Sequence, residues 1–153
     1  GSPQGFKAEY LRILDDSIPY TMHFVDDMVV VNRWGLTEQL TAHRILSSRP
    51  DVIAVSLRLH SGITKCFATN DDHTPPPDMD SEGTWPWAHA KGDWSYPMSL
   101  DAHIFRTAEH SVLALELDYF NPNTLEGNMA VFCYAGTAQC APRLFCYPDG
   151  KVI

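Results

Sequence analysis

The sequence predicts an α+β domain in which N-terminal helices pack on one mostly antiparallel sheet of five or six strands. Three observations lead there. Apolar residues recur at helical spacing in the first third, alternating runs dominate from residue 52 onward, and a tight-turn signal, His60-Ser61-Gly62, joins two of those runs. Helices that come first, followed by hairpin-linked strands, are the pattern of segregated α+β folds.

The elements follow in order. Phe6, Tyr10 and Ile13/Leu14 share one helical face, and Ser17 and Pro19 end or kink that helix. Residues 20–31 fit a helix through Met22, Val25 and Met28/Val29 and a strand through the β-branched Val29–Val31; helix is the preferred reading. Residues 36–48 predict a second helix, stopped by Arg49-Pro50 because a residue before proline avoids the helical region. Val52–Leu59 predicts a strand, with Ile63–Thr69 as its hairpin partner. Further strands are expected at Met98–Phe105, Ser111–Phe120, Met129–Tyr134 and Arg143–Tyr147, with a turn at Ala108–His110, a break at Asn121-Pro122-Asn123 and a tight turn at Pro148-Asp149-Gly150.

Between them, residues 70–97 show neither period. They hold five prolines and three tryptophans, and loops this long inside a compact domain are usually functional or disordered. Disordered segments are poor in aromatics, so the segment is expected to be ordered, with Trp85, Trp87 and Trp94 largely buried as its anchors.

One domain is expected over 6–153, after an expression remnant or disordered start at 1–5; 153 residues suffice for a core without metals or disulfides. The net charge of −8 and the scattered lysines and arginines exclude the basic stripe that nucleic-acid binding requires, and they disfavour anionic membrane surfaces. No apolar run spans a bilayer, so membrane attachment would come only through segments outside this chain. Cys66, Cys133, Cys140 and Cys146 are even in number and permit disulfides, but the last three lack the paired C-x2-C spacing of structural zinc sites; buried thiols are the favoured state and pairing the alternative.

Three constellations could carry chemistry. Residues 71–93 gather Asp71, Asp72, Asp78, Asp80, Glu82 and Asp93 against Lys91 alone, with His73 and His89 among them. Together with Trp85, Trp87, Trp94 and Tyr96, these groups could contact a ligand, whereas a solvated acidic rim is the plainer reading; no calcium-loop spacing is present and no metal is expected. His103 alternates with Asp101 and, if the next strand paired with its own, would face Glu116 and Asp118, a potential general base. His23 with Asp26-Asp27 would share one helical face, most simply a hydrated one. The G-x-S-x-G, phosphate-loop, G-x-G-x-x-G and H-E-x-x-H motifs are all missing, so nucleophilic catalysis has no motif support.

The stretch Leu40–Leu59, in which Leu46-Ser47-Ser48-Arg49-Pro50-Asp51-Val52 closes a helix and opens a strand, resembles bacterial extracytoplasmic sensor domains, PAS-like input modules of the Cache or LapD/MoxY sort. The resemblance extends over 36–120, through the turn at Gly62, the His73 and Trp85–Trp94 loop, and the runs Leu100–Phe105 and Leu113–Phe120; the segment 128–153 lies beyond it. It implies a non-catalytic, periplasmic or extracellular domain that binds a small-molecule or protein signal for a membrane signalling protein. The element order is also similar to the cone-shaped barrels of the nuclear-transport-factor-2-like and SnoaL-like group, which would imply a cytoplasmic isomerase, dehydratase or cyclase with Tyr20, Asp26, His103, Glu116 and Asp118 as pocket polar groups. A protein-interaction module docking through the Trp/Pro loop is a third reading. The leading expectation is a small-molecule-binding sensor, possible as a homodimer, using His73, Trp85, Trp87, His89, Trp94, Tyr96 and His103, without cofactor.

Overall fold

In a computed structural model that describes residues 3–66, 69–136 and 139–153, four helices enclose one five-stranded sheet. In chain order these are α1 (Pro3–Ile13), β1 (Tyr20–Met22), α2 (Leu36–Ser48), β2 (Val52–Ser56), β3 (Thr84–Pro86), β4 (His103–Arg106), α3 (Thr107–Glu116), α4 (Pro122–Ala135) and β5 (Arg143–Cys146). The strands lie in the order β1-β4-β2-β5-β3, antiparallel throughout except for the β2–β5 pair, which is parallel. The sheet is α+β and mostly antiparallel, as the sequence predicts. It is open and not a barrel, so the cone-shaped alternative loses the closed pocket on which it rests.

Several elements differ from expectation. Ser111–Phe120 and Met129–Tyr134 are not strands: the first lies largely in α3, with Thr107–His110 as its first turn, and the second lies in α4. Asn121-Pro122 is no mere break but a helix start, in which Asn121 Oδ1 accepts the Thr124 N–H at 2.8 Å, Thr124 Oγ1 accepts the Asn121 N–H at 3.1 Å, and Pro122 occupies a position where no N–H is needed. Residues 20–31 form no helix: they hold the short β1, and at Val29–Val31, where a strand is the alternative reading, Val30 makes an antiparallel bridge to Val152; Met98–Phe105 shrinks to β4, whose entry bends through Ala102 at φ 53°. Of the expected partner Ile63–Thr69, residues 67–68 lie outside the described residues, and Lys65 makes a single bridge to Asp72. The 70–97 segment contributes the edge strand β3 and two short 3-10 turns, Trp87–His89 and Gly92–Ser95.

The sheet separates two cores because alternate strand residues point to opposite faces, with an irregularity between Val52 and Ala54 that lets Val52 and Val55 share one face. On one face Val52, Val55, Ile104 and Phe145 meet Ala42, Ile45 and Leu46 of α2. Arg106 closes that seam: its guanidinium donates to the carbonyls of Leu46 (2.8 Å), Arg49 (2.8 Å) and Val52 (2.9 Å), satisfying acceptors at the C-terminal end of α2. On the other face Ala54, Phe105, Leu144 and Cys146 meet α1, α3, α4 and the tryptophan segment. Trp85, Trp87 and Trp94 are buried as expected, with Trp85 Nε1 donating to the Trp94 carbonyl at 2.7 Å and Trp87 Nε1 to the Ala141 carbonyl at 2.8 Å. Gly92, at φ 53°, lets His73 approach so closely that a Cβ would meet the imidazole at 2.6 Å.

Candidate functional site

The face that carries α1, α3 and α4 also carries a cavity of about 310 Å3. Its floor is Ile53 and Phe105 of the sheet, its walls are Leu113 of α3 and Phe132 of α4, and Cys140 closes one side. Glu109 and Gln139 add polar groups to this lining, and the buried polar ring among these walls is His110.

Three elements position that imidazole. The chain passes from Arg106 of β4 directly into α3, so His110 falls in the first turn of the helix and turns back onto the sheet, where its ring stacks on Phe105 with centroids 4.9 Å apart. From α1, the Tyr10 hydroxyl reaches His110 Nε2 at 2.5 Å and, at the same distance, Nε2 of His23, just after β1. The two imidazoles stand 4.8 Å apart with Tyr10 bridging them. A phenol hydroxyl gives one proton and accepts another, so one histidine must donate through Nε2 and the other accept. The Nδ1 atoms of both histidines are buried and have no protein partner among the described residues.

Burial dominates the electrostatics. It depresses His110 to about 3, helped by neighbouring His23, depresses His23 to about 4, and raises the Tyr10 phenol well above its ordinary value, helped by Tyr119. The triad is therefore uncharged at neutral pH, which suits an apolar cavity.

The groups nominated from sequence scatter around this site. His103 is fully buried on the same sheet face, where Nδ1 meets the Asp101 carbonyl at 3.1 Å, Nε2 has no partner, and burial with the Arg58 charge holds it at about 3. Asp101 reaches Arg58 at 3.7 Å, but Glu116 and Asp118 are exposed at and beyond the end of α3, and no hydrogen bond or ion pair joins them to His103 among the described residues. The predicted cross-strand base fails because the second strand is a helix. Asp26 is exposed, and Tyr20 is half-buried against His43. His73 is buried, stacked on Trp94 with centroids 5.9 Å apart, and His89 is exposed. Tyr96 is half-buried, its phenol pushed up to about 12 by burial and by Glu126.

A second cavity, also about 310 Å3, lies beside the acidic segment and is lined by Asp27, Arg58, Lys65, Asp93 and Asp101. Most of its charges are already matched: Arg58 pairs with Asp93 at 3.1 Å and with Asp101 at 3.7 Å, and Lys65 pairs with Asp72 at 2.6 Å, while Asp27 forms no ion pair among the described residues. Asp80 is likewise structural. Burial works to raise its carboxyl, but hydrogen bonds from Thr84 and the Glu82 amide, with the Arg143 charge, outweigh it and lower it. Among the described residues no group of three or more His, Cys, Asp or Glu side chains could hold a metal, and no helix is long and apolar enough to cross a membrane.

Sequence reasoning missed Tyr10, read only as part of an apolar face, and His110, placed in a turn; His23 was grouped with Asp26-Asp27 instead. No family model, curated protein or solved structure matches this chain.

Proposed function

We propose that this domain binds a small molecule in the cavity under α3 and α4 and serves as the non-catalytic sensory input of a membrane signalling protein, on its periplasmic or extracellular side. The observation that carries the binding reading is His110: a buried imidazole in a mostly apolar wall, held by Tyr10, with no partner for Nδ1 among the described residues. Ligand pockets are mostly apolar with a few fixed polar groups, and their usual volumes begin near ~300 Å3. The ligand this wall suits is small and largely apolar, in contact with the His110 ring. The sensory assignment rests on the resemblance over 36–120.

A linked His–Tyr–His set also favours an acid–base enzyme as a second reading. Its titration weighs against that. A general base works best when its pKa lies near the operating pH, and burial leaves His110 at about 3 and His23 at about 4. Neutral histidines that resist protonation suit recognition better than proton transfer.

The test is thermal denaturation with indole, 4-methylphenol and cyclohexanol as probes, alongside nitrogen chemical shifts of the His110 ring. Binding raises the melting temperature by mass action. The expected result is a rise and a His110 Nδ1 shift with at least one probe, both lost in Ala141→Leu, which fills the cavity. A rise that persists unchanged in Ala141→Leu, or no rise with any probe, overturns the reading.

A further inference from the structure

The cavity wall holds a second chemical feature. Cys133, in the last turn of α4, and Cys140, before β5, bring their thiols into contact, Sγ to Sγ at 2.6 Å. Neither is bonded to the other, and both are free thiols. Cys66 and Cys146 are also buried and free, but no sulfur contact joins either to another thiol among the described residues. Cys140 lines the cavity, whereas Cys133 is fully enclosed behind it. One thiol is thus open to a small reagent entering the cavity, and its neighbour stands where a resolving thiol must stand.

We propose that Cys133 and Cys140 form a dithiol–disulfide redox site on the wall of the ligand cavity, oxidised by low-molecular-weight disulfides. Cys140, as thiolate, attacks one sulfur of the small disulfide; that S–S bond breaks and the departing thiolate takes up a proton. Cys133 then loses its proton and attacks the Cys140 sulfur of the mixed disulfide, expelling the second small thiol. The protein dithiol gives up two electrons, the small disulfide becomes two thiols, and no further reactant is needed. The order of attack follows the environment. Burial raises both thiols; at Cys140 the hydrogen bond with Cys133 offsets part of the rise, to which the Glu109 charge adds, and Cys133 also lies at a helix C-terminus, which disfavours a thiolate.

Closing this bond would tie the end of α4 to the strand that follows it, across the cavity edge. The site thereby makes the binding wall sensitive to the thiol–disulfide balance of its compartment, independently of which ligand fills the cavity.

The experiment treats the fully reduced protein with hydroxyethyl disulfide, quenches with acid, denatures, and counts free thiols. The expected count falls from four to two, and peptide mapping joins Cys133 to Cys140. In Cys133→Ser the reaction stops at a mixed disulfide on Cys140. A measurement that needs no variant is capture of phenylarsine oxide, which bridges neighbouring thiols: one equivalent is expected on the reduced wild-type protein and none after oxidation. Four thiols that stay free, a crosslink involving Cys66 or Cys146, or failure to capture the arsenical would each overturn the proposal.

Discussion

The two faces of the sheet are built to different rules. The α2 face is an apolar seam in which Ile45, Val52, Val55 and Ile104 fill the space between helix and strands, and its prominent charge, Arg106, spends its donors on backbone carbonyls. The opposite face carries three neutral histidines, half-buried His23 and buried His103 and His110, beside a cavity and a thiol pair. Close packing confers stability, whereas unpartnered polar atoms beside empty volume cost stability and are kept where something binds. The difference teaches that one layer of this domain maintains the fold and the other is available for chemistry.

The largest expected effect breaks or upholds that division through pH. All three histidines are depressed in the folded protein, to about 3 or 4, from an ordinary value near ~6.5. Below pH ~6.5 the unfolded chain therefore binds protons that the folded chain refuses, so stability is complete above that pH and is lost as pH falls towards the folded values. Each histidine contributes up to ~1.4 kcal/mol per pH unit in that window, about 4 kcal/mol per unit for three, against a typical total of ~5–15 kcal/mol. Urea titrations between pH 7 and 4.5 are expected to show a steep fall, shallower in His110→Gln and in His103→Gln. A flat profile down to pH 4.5 would show that the histidine face does not govern acid stability. Depressed carboxyls such as Asp51 and Asp80 act only at lower pH.

Next in size is the seam itself. Arg106→Met removes three charge-assisted hydrogen bonds and leaves the Leu46 carbonyl, four residues before Pro50, without a donor, a loss of about 3 kcal/mol measured by urea denaturation near neutral pH. The exposed Glu109 at 3.2 Å contributes little, so Glu109→Gln changes stability by less than ~0.5 kcal/mol. Equal effects from the two would reverse the reading of Arg106 as a helix clasp.

Packing separates the faces more gently. Ala42→Leu inserts a side chain into the filled seam and is expected to cost ~1–3 kcal/mol, while Ala141→Leu extends into open cavity and costs less than ~1 kcal/mol. Thermal melts of both variants decide it, and a larger loss at Ala141 would mean that the cavity is not free volume.

These contrasts also explain what was legible beforehand. Val52–Ser56 and the burial of the three tryptophans could be read locally, because a β-branched run and a cluster of large aromatics have few other fates. The helices α3 and α4 could not. Leu113, Leu115 and Leu117 alternate like a strand, yet His110, Leu113, Ala114 and Leu117 also step like a helix, and Leu115 remains exposed. The signal that could have decided it was Asn121-Pro122 with Thr124, a cap with proline at the first helical position, which reads equally well as a break. The site was less visible still. Tyr10 and His110 meet across 100 residues of chain, a separation that no local period encodes, and an alternating reading of α3 puts His110 in the turn before it.

The smallest effects belong to the acids that the sequence makes conspicuous. Asp26, Glu116 and Asp118 are solvent-exposed, and none forms an ion pair among the described residues. Removing an exposed carboxylate costs neither a desolvated charge nor a packed contact, so Asp26→Asn, Glu116→Gln and Asp118→Asn should each stay within ~0.5 kcal/mol of the parent. They should also leave probe binding in the cavity unchanged, whereas Tyr10→Phe removes the hydroxyl that fixes both imidazoles and weakens it. Parallel melts and probe titrations on these four variants compare conspicuous acids with a concealed hydroxyl. Weaker binding in Glu116→Gln with none in Tyr10→Phe would move the site from the cavity to the rim of α3.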